Sequence, residues 1–261
     1  MTDERLNILG VNVSRITGVE FLRLIDDTVR AKSKAVFAYV NVHGVNLAGK
    51  LPWFREFLNS APVTYTDGEG IRLGAAILGS SLPETIALTR KMWDVASLCE
   101  KNGYALYLFG ATEENARKAE AKLKAQYPNL KIKSHHGYCT AAENDMVIND
   151  INAHSTDVLI IGLGMPKQEE WIRNTIGQLN VNVILTGGSC IDYTAGAKTV
   201  CPGWIARAGF EWLFRFFMEP GRLFARYFIG NPVFLMNVLI QRMKEGKKHL
   251  SGFSHGTRAV L

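Results

Sequence analysis

The stretch DVLIIGLGMPKQEEWI, residues 157–172, decides how the rest of the chain is read. The apolar, partly β-branched run at 158–161 suits a strand buried on both faces, and Gly162-Leu163-Gly164 lets the backbone turn without a Cβ clash. Pro166 fits the first turn of a helix, where its missing N–H costs nothing, and residues 167–178 continue that helix with Trp171, Ile172 and Ile176 on one side. Such a strand, turn and helix leave unpaired backbone N–H groups beyond the strand end, a natural place for a diphosphate. Gln168 and Glu169 read as polar groups in the same mouth. The G-x-G lacks the third glycine of the dinucleotide fingerprint, which counts against a nicotinamide-dependent oxidoreductase.

Working outward, the same rhythm repeats. Residues 183–186 read as a strand ending in Gly187-Gly188. Residues 104–109, Gly110, the N-cap Thr112 and a helix over 113–127 form another βα unit, followed by a strand from 130 and a helix over 142–153. Toward the N-terminus come a strand pair over 7–13, a capping box at Thr17 and Glu20, and strands over 35–40 and 62–66. Helical patterns cover 43–58, interrupted at Gly49 and Pro52, then 71–78 and 83–101, with Gly103 as the last C-cap. This predicts an α/β fold, a Rossmann-like, mostly parallel sheet with helices on both faces. Ligands of such sheets lie beyond the carboxyl ends of the strands, where Asn41, Asp67, Gly110, Gly162 and Gly187 fall.

Composition divides the chain in two. Of 261 residues 47% are apolar and 21% charged, as in a globular protein, and the net charge is +6. Residues 203–261 hold nine Lys/Arg against three Glu, so the first 202 residues are neutral. Ten of the 26 aromatics also lie between Trp204 and Phe234. The expected division is an α/β domain over 1–202 and a basic, aromatic-rich helical appendage over 203–261. The appendage's longest uncharged run, 227–241, is 15 residues broken by Gly230 and Pro232, too short to span a bilayer. Aromatics beside arginines suit a helix lying in the headgroup layer, with guanidinium groups free for phosphates; packing on the main domain is the competing reading. Nucleic acid is excluded as a partner because the arginines sit among large apolar residues. Four scattered cysteines, no C-x-x-C and no zinc-type Cys/His cluster point to reduced thiols, no metal and no cofactor. The acidic start MTDERLN has no secretory h-region after it.

Asp67, in Asp-Gly-Glu-Gly at a strand end, is placed to take a proton from a hydroxyl nucleophile, although Asp-Gly is also a common turn; Glu69 competes for the role. Asn41 reads as holding a substrate hydroxyl or as an Asx cap. Gln168 offers donor and acceptor to a sugar or base, or is a solvated helix residue. Asp192 would bind ribose hydroxyls, or cap a loop. His135 and His136 read as loop polar groups.

In order and spacing, these blocks resemble the WecG/TagA/CpsF family of bacterial glycosyltransferases, glycosyltransferase family 26, over nearly the whole chain. The resemblance is carried by Thr66-Asp-Gly-Glu-Gly70, His136-Gly-Tyr138, Gly162-Leu-Gly-Met-Pro-Lys-Gln-Glu169 with Trp171, and Gly187-Gly-Ser-Cys-Ile-Asp192. It continues through Glu211-Trp-Leu-Phe-Arg215, Glu219-Pro220, Arg222-Leu223, Arg226-Tyr227 and Asn231-Pro232. It implies an inverting, metal-independent transfer from a UDP-sugar to a saccharide on a polyprenyl diphosphate, in surface or exopolysaccharide synthesis. Asp67 would be the general base, with Asn41 and Gln168 beside it. Tyr138, Gly162, Gly164, Gln168, Gly187, Gly188 and Asp192 would surround the donor nucleotide. Arg215, Arg222 and Arg226 would meet diphosphate and hold the protein, peripherally, to the cytoplasmic face of the inner membrane. Tyr39 replaces the threonine of the family's Thr-x-Asn, Val200-Cys201 replaces Arg-Ala before Pro202, and the usual arginine segment is missing from 82–89. The implied donor is therefore an N-acetylmannosamine-type sugar or glucose. The alternative is a non-catalytic nucleotide- and lipid-binding protein of the membrane surface, and either reading leaves room for a homo-oligomer.

Overall fold

The repeated strand and helix units assemble into a single parallel sheet. The computed structural model describes residues 4–207 and 211–255. A hairpin of β1 (Arg5–Ile8) and β2 (Val11–Ser14) leads to α1 (Gly18–Arg30), where Thr17 and Glu20 bond each other's backbone N–H as a capping box requires. Next come β3 (Ala35–Val40), α2 (Val42–Lys50), α3 (Pro52–Ser60), β4 (Val63–Thr66) and α4 (Glu69–Ile77). They are followed by α5 (Leu88–Asn102), β5 (Ala105–Gly110), α6 (Glu113–Gln126), β6 (Lys131–His135) and α7 (Asn144–Ala153). Then β7 (Val158–Gly162), α8 (Lys167–Thr175), β8 (Val183–Thr186) and α9 (Cys190–Ala195) complete the alternation. The sheet order is β4-β3-β8-β7-β5-β6 and every pairing is parallel.

β7 shows why its sequence is a continuous apolar run rather than an alternating one. Val158 and Ile160 enter a core with Phe21, Met92 and Ile191 from α1, α5 and α9, whereas Leu159 and Ile161 face Ile148, Trp171 and Ile172 from α7 and α8. Both faces of the sheet are covered at β7, so each residue from Val158 to Ile161 needs an apolar side chain whichever way it points.

One helix expectation is corrected, and one expected interruption is located. The helix expected over 83–101 starts only at Leu88, because residues 84–86 bond to the end of β4 instead of to their own turn. Ile86 N–H donates to the Thr66 carbonyl (2.7 Å) and the Thr66 hydroxyl to the Glu84 carbonyl (3.2 Å). The pattern over 43–58 splits into α2 and α3 at Leu51, whose extended backbone (φ −119°) precedes Pro52 at the start of α3.

The C-terminal segment forms α10 (Gly203–Arg207), α11 (Glu211–Met218), α12 (Pro220–Phe224), a π-helical turn (Ala225–Gly230) and α13 (Asn231–His255). Phe234 and Val238 of α13 are fully buried in one cluster with Ile71, Ala75 and Leu78. Gly74 makes room for the Phe234 ring, since a Cβ there would lie 2.7 Å from Phe234 Cζ. Gln241 then clamps the hairpin, donating to the Asn7 carbonyl (3.1 Å) and accepting from Leu9 N–H (2.8 Å). Trp204, Phe217, Phe224 and Ile229 stay exposed. Among the described residues no helix is long and apolar enough to cross a membrane.

Phe234→Ala should cost about 3–5 kcal/mol, the usual range for deleting a fully buried aromatic ring. Urea unfolding followed by circular dichroism measures it, and a loss under about 1 kcal/mol would show that the ring is not part of the core.

Candidate active site

A cleft of ≈ 1750 Å³ opens beyond the carboxyl ends of β3, β4, β7 and β8. Asn41, Asp67, Gly162 and Gly187, each at or just past a strand end, line it. Asp67 N–H donates to the Val40 carbonyl (2.9 Å), which carries the pairing of β3 and β4 one residue further and fixes where the carboxylate emerges. Gly68 (φ +99°) makes the turn, and Gly70 packs on α2 so closely that a Cβ would lie 2.5 Å from Val42 Cγ2. Glu69 is tied up at the rim by Arg72 (2.8 Å) and the Thr85 hydroxyl (2.7 Å). Asn41 accepts from Gly44 N–H (3.0 Å) and caps α2, so the Asx reading holds while the residue still borders the cleft.

Gln168 and Glu169 are not in the mouth of the cleft, where their polarity in the sequence would put them. Both are completely buried. The phase of α8 explains this: Lys167, Glu170, Trp171 and Asn174 face the cleft at helical spacing, which turns the two residues after Lys167 toward the sheet. Gln168 Oε1 accepts from Gly188 N–H (3.1 Å), and its amide donates to Glu169 Oε1 (2.7 Å). Gln168 therefore holds the loop after β8 from beneath. Glu169 Oε2 has no hydrogen-bond partner, and burial pushes the carboxyl up from 4.5 to about 7. Above the loop lies Tyr39; a Cβ on Gly188 would come 2.7 Å from its hydroxyl oxygen.

The remaining expected ligands frame this centre. Gly164, Gly188 and Asp192 line the cleft, and Asp192 Oδ1 accepts from Asn115 Nδ2 (2.8 Å). Tyr138 stands at the rim, 77% exposed. Arg215 and Arg226 also line the cleft, so the tail closes one of its sides; the side chain of Arg222 lies outside the described residues. Among the contacts that dock the tail here, the Arg215 guanidinium lies over the Tyr193 ring (5.7 Å), and Lys198 pairs with Glu219 (2.9 Å). Lys167, Lys198, Arg90 and Lys91 add positive charge that sequence reasoning did not assign. Of these, Lys167 was readable inside the Pro-Lys-Gln-Glu block, whereas Arg90 and Lys91 lie in the first turn of α5, where the helical pattern alone marks no cleft.

Sequence reasoning also passed over His135, His136 and Cys139 as a group, whose ligand atoms all lie within 4.8 Å of one another. Their spacing, H-H-x-x-C, was legible but matches none of the common zinc patterns.

Residues 6–248 match the model of the Glycosyl transferase WecG/TagA/CpsF family. Among curated proteins, the N-acetylglucosaminyldiphosphoundecaprenol N-acetyl-beta-D-mannosaminyltransferase of Staphylococcus aureus strain MW2 is 28% identical over 221 residues, 84% of this chain and 87% of that protein. The protein of the same name from strain NCTC 8325 / PS 47 matches with the same identity and coverage.

The raised carboxyl of Glu169 fixes the sign of a pH effect. A carboxyl whose folded value lies above its unfolded one favours the native state in full below about 4.5, and that contribution is lost as the pH rises toward about 7. Glu169→Gln keeps the shape and removes the titration. Between pH 5 and 8 the variant should therefore gain up to about 3 kcal/mol of unfolding free energy relative to the parent. Urea melts at the two pH values measure the difference; parallel pH dependences would mean that Glu169 stays ionised in the fold.

Proposed function

Because the chain belongs to the WecG/TagA/CpsF family of glycosyltransferases, we propose that it moves a sugar from a UDP-sugar to a saccharide on a polyprenyl diphosphate, with inversion and without a metal ion. The observation that carries this reading is one cleft lined at once by a carboxylate on a glycine loop, the glycine mouths of β7 and β8, and two arginines of the tail. Asp67 accepts the proton of the acceptor hydroxyl as its oxygen attacks the anomeric carbon from the face opposite the nucleotide. The bond from that carbon to the diphosphate oxygen breaks, and UDP leaves with the negative charge. Arg215, Arg226, Lys167 and the N–H groups of the glycine turns offset that charge, which is the electrostatic part of the catalysis. Tyr138, Gly162, Gly164, Gly187, Gly188 and Asp192 surround the nucleotide. Gln168 acts beneath them, through the loop it holds.

The names of the relatives favour an N-acetylmannosamine donor and an N-acetylglucosaminyl-diphosphoundecaprenol acceptor, with glucose as the competing donor. Exposed Trp204, Phe217, Phe224 and Ile229 suit a surface that settles into lipid headgroups and brings the cleft to such an acceptor. On this reading the protein works peripherally, at the cytoplasmic face of the membrane. Release of UDP, screened over donors with a lipid-diphosphate acceptor analogue, tests the activity. Silence with every donor would favour a non-catalytic binding protein.

Asp67→Asn should slow transfer by about 10²- to 10⁴-fold while UDP affinity stays within about twofold, since the amide keeps the loop's shape and loses the proton acceptor. Near-normal turnover would take the base role away from Asp67. Transfer should also persist in excess EDTA, because arginines and lysines already face the leaving diphosphate and Glu69 and Asp192 have protein partners. Loss of activity in EDTA, restored by magnesium or manganese, would overturn the metal-free part.

A further inference from the structure

The loop that joins β6 to α7 gathers two imidazoles and a thiol on the flank of the cleft. Cys139 Sγ lies 3.7 Å from His135 Nδ1 and 3.9 Å from His136 Nδ1, and all three side chains are half-buried. A tetrahedral zinc ion, with Zn–S near 2.3 Å and Zn–N near 2.0–2.1 Å, needs sulfur and nitrogen about 3.5 Å apart. The observed spacings exceed this by a few tenths of an ångström, within reach of small side-chain rotations. We propose that His135, His136 and Cys139 form a binding site for one borderline-to-soft divalent cation, zinc above all, held by two imidazole nitrogens and a thiolate.

The donor set decides the class of ion. Magnesium and calcium take oxygen ligands, whereas imidazole and thiolate select zinc and its neighbours. Two acidic side chains flank the three ligands from outside. Glu113 Oε2 is 3.9 Å from His136 Nε2, and Thr140 N–H (2.7 Å) and hydroxyl (3.0 Å) hold the Glu143 carboxylate. The ion displaces two contacts to the His136 carbonyl, those of His135 Nδ1 (2.8 Å) and of the Cys139 thiol (3.3 Å). A thiol must lose its proton to ligate, so binding strengthens as the pH rises. Gly137, Tyr138 and Cys139 line the cleft. An ion here therefore stiffens the stretch of loop that carries Tyr138 to the rim, and it takes no part in bond breaking. The site stands apart from the transfer reaction, and its test needs no turnover.

Cobalt(II) titration of the reduced, full-length protein reads the site directly. One equivalent should give a thiolate-to-cobalt charge-transfer band and the intense visible bands of a tetrahedral ion, both abolished by one equivalent of zinc. Cys139→Ser should lose the charge-transfer band while keeping the parent's circular dichroism, and His136→Gln should weaken binding at least tenfold. Binding to the parent should be at least tenfold weaker at pH 6 than at pH 8. No charge-transfer band at one equivalent, or one that survives in Cys139→Ser, would overturn the assignment. X-ray absorption of the zinc-loaded parent needs no variant and answers the same question: one sulfur neighbour supports the site, and a shell of nitrogen and oxygen alone refutes it.

Discussion

The tips of β5, β7 and β8 converge to a point where ordinary side chains have no room. A Cβ on Gly110 would sit 2.6 Å from the carbonyl carbon of Gly162, and one on Gly162 would sit 2.9 Å from the carbonyl oxygen of Gly188. Backbone stacked this tightly lets the cleft reach down to main-chain N–H groups instead of ending on a layer of side chains. Gly137 closes over Gly110 from the neighbouring loop and donates its N–H to the Ala111 carbonyl (3.0 Å), so the loop bearing Tyr138 is registered against the same knot. The glycine mouths of β5 and β7 and the position of the β6–α7 loop all depend on this close approach.

Beneath the knot the protein places polar groups where an apolar core would be cheaper. Gln168 spans from α8 to Gly188 and leans on a carboxyl that is itself only half satisfied. A buried polar pair of this kind fixes geometry at some expense in stability. Replacing it with aliphatic side chains would leave the Gly188 amide without its present acceptor, and the loop would lose its tether.

Much of the architecture was readable because its signals are local. The capping box at Thr17, the run at 158–161 and the N-caps Thr112 and Asn41 each depend on residues close in sequence, and each forms as read. Of the strand ends named from the alternation, Asn41, Asp67, Gly162 and Gly187 line the cleft, while Gly110 packs beneath Gly137. The misreadings have a common cause, contacts between distant segments. Residues 84–86 look helical until the end of β4 offers better partners. Gln168 and Glu169 look exposed because polarity alone gives no helix phase, and the phase is set by Trp171 packing on Phe109 (4.8 Å). The clustering of His135, His136 and Cys139 depends on how a tight loop folds back, which spacing alone does not reveal.

The bond between Gln241 and Leu9 joins residues 232 positions apart, and Phe234 and Val238 complete a core that contains Ile8, Val11 and Val13. The hairpin packs on α3, where Asn12 N–H donates to Asn59 Oδ1 (2.9 Å), and α13 adds a second cover from far along the sequence. The cover supplied by α13 is a long-range closure, of the sort that folds slowly. In this glycosyltransferase, loosening α13 would uncover Ile8, Val11 and Val13 together with Ile71 and Ala75, apolar surface of the kind that chaperones bind.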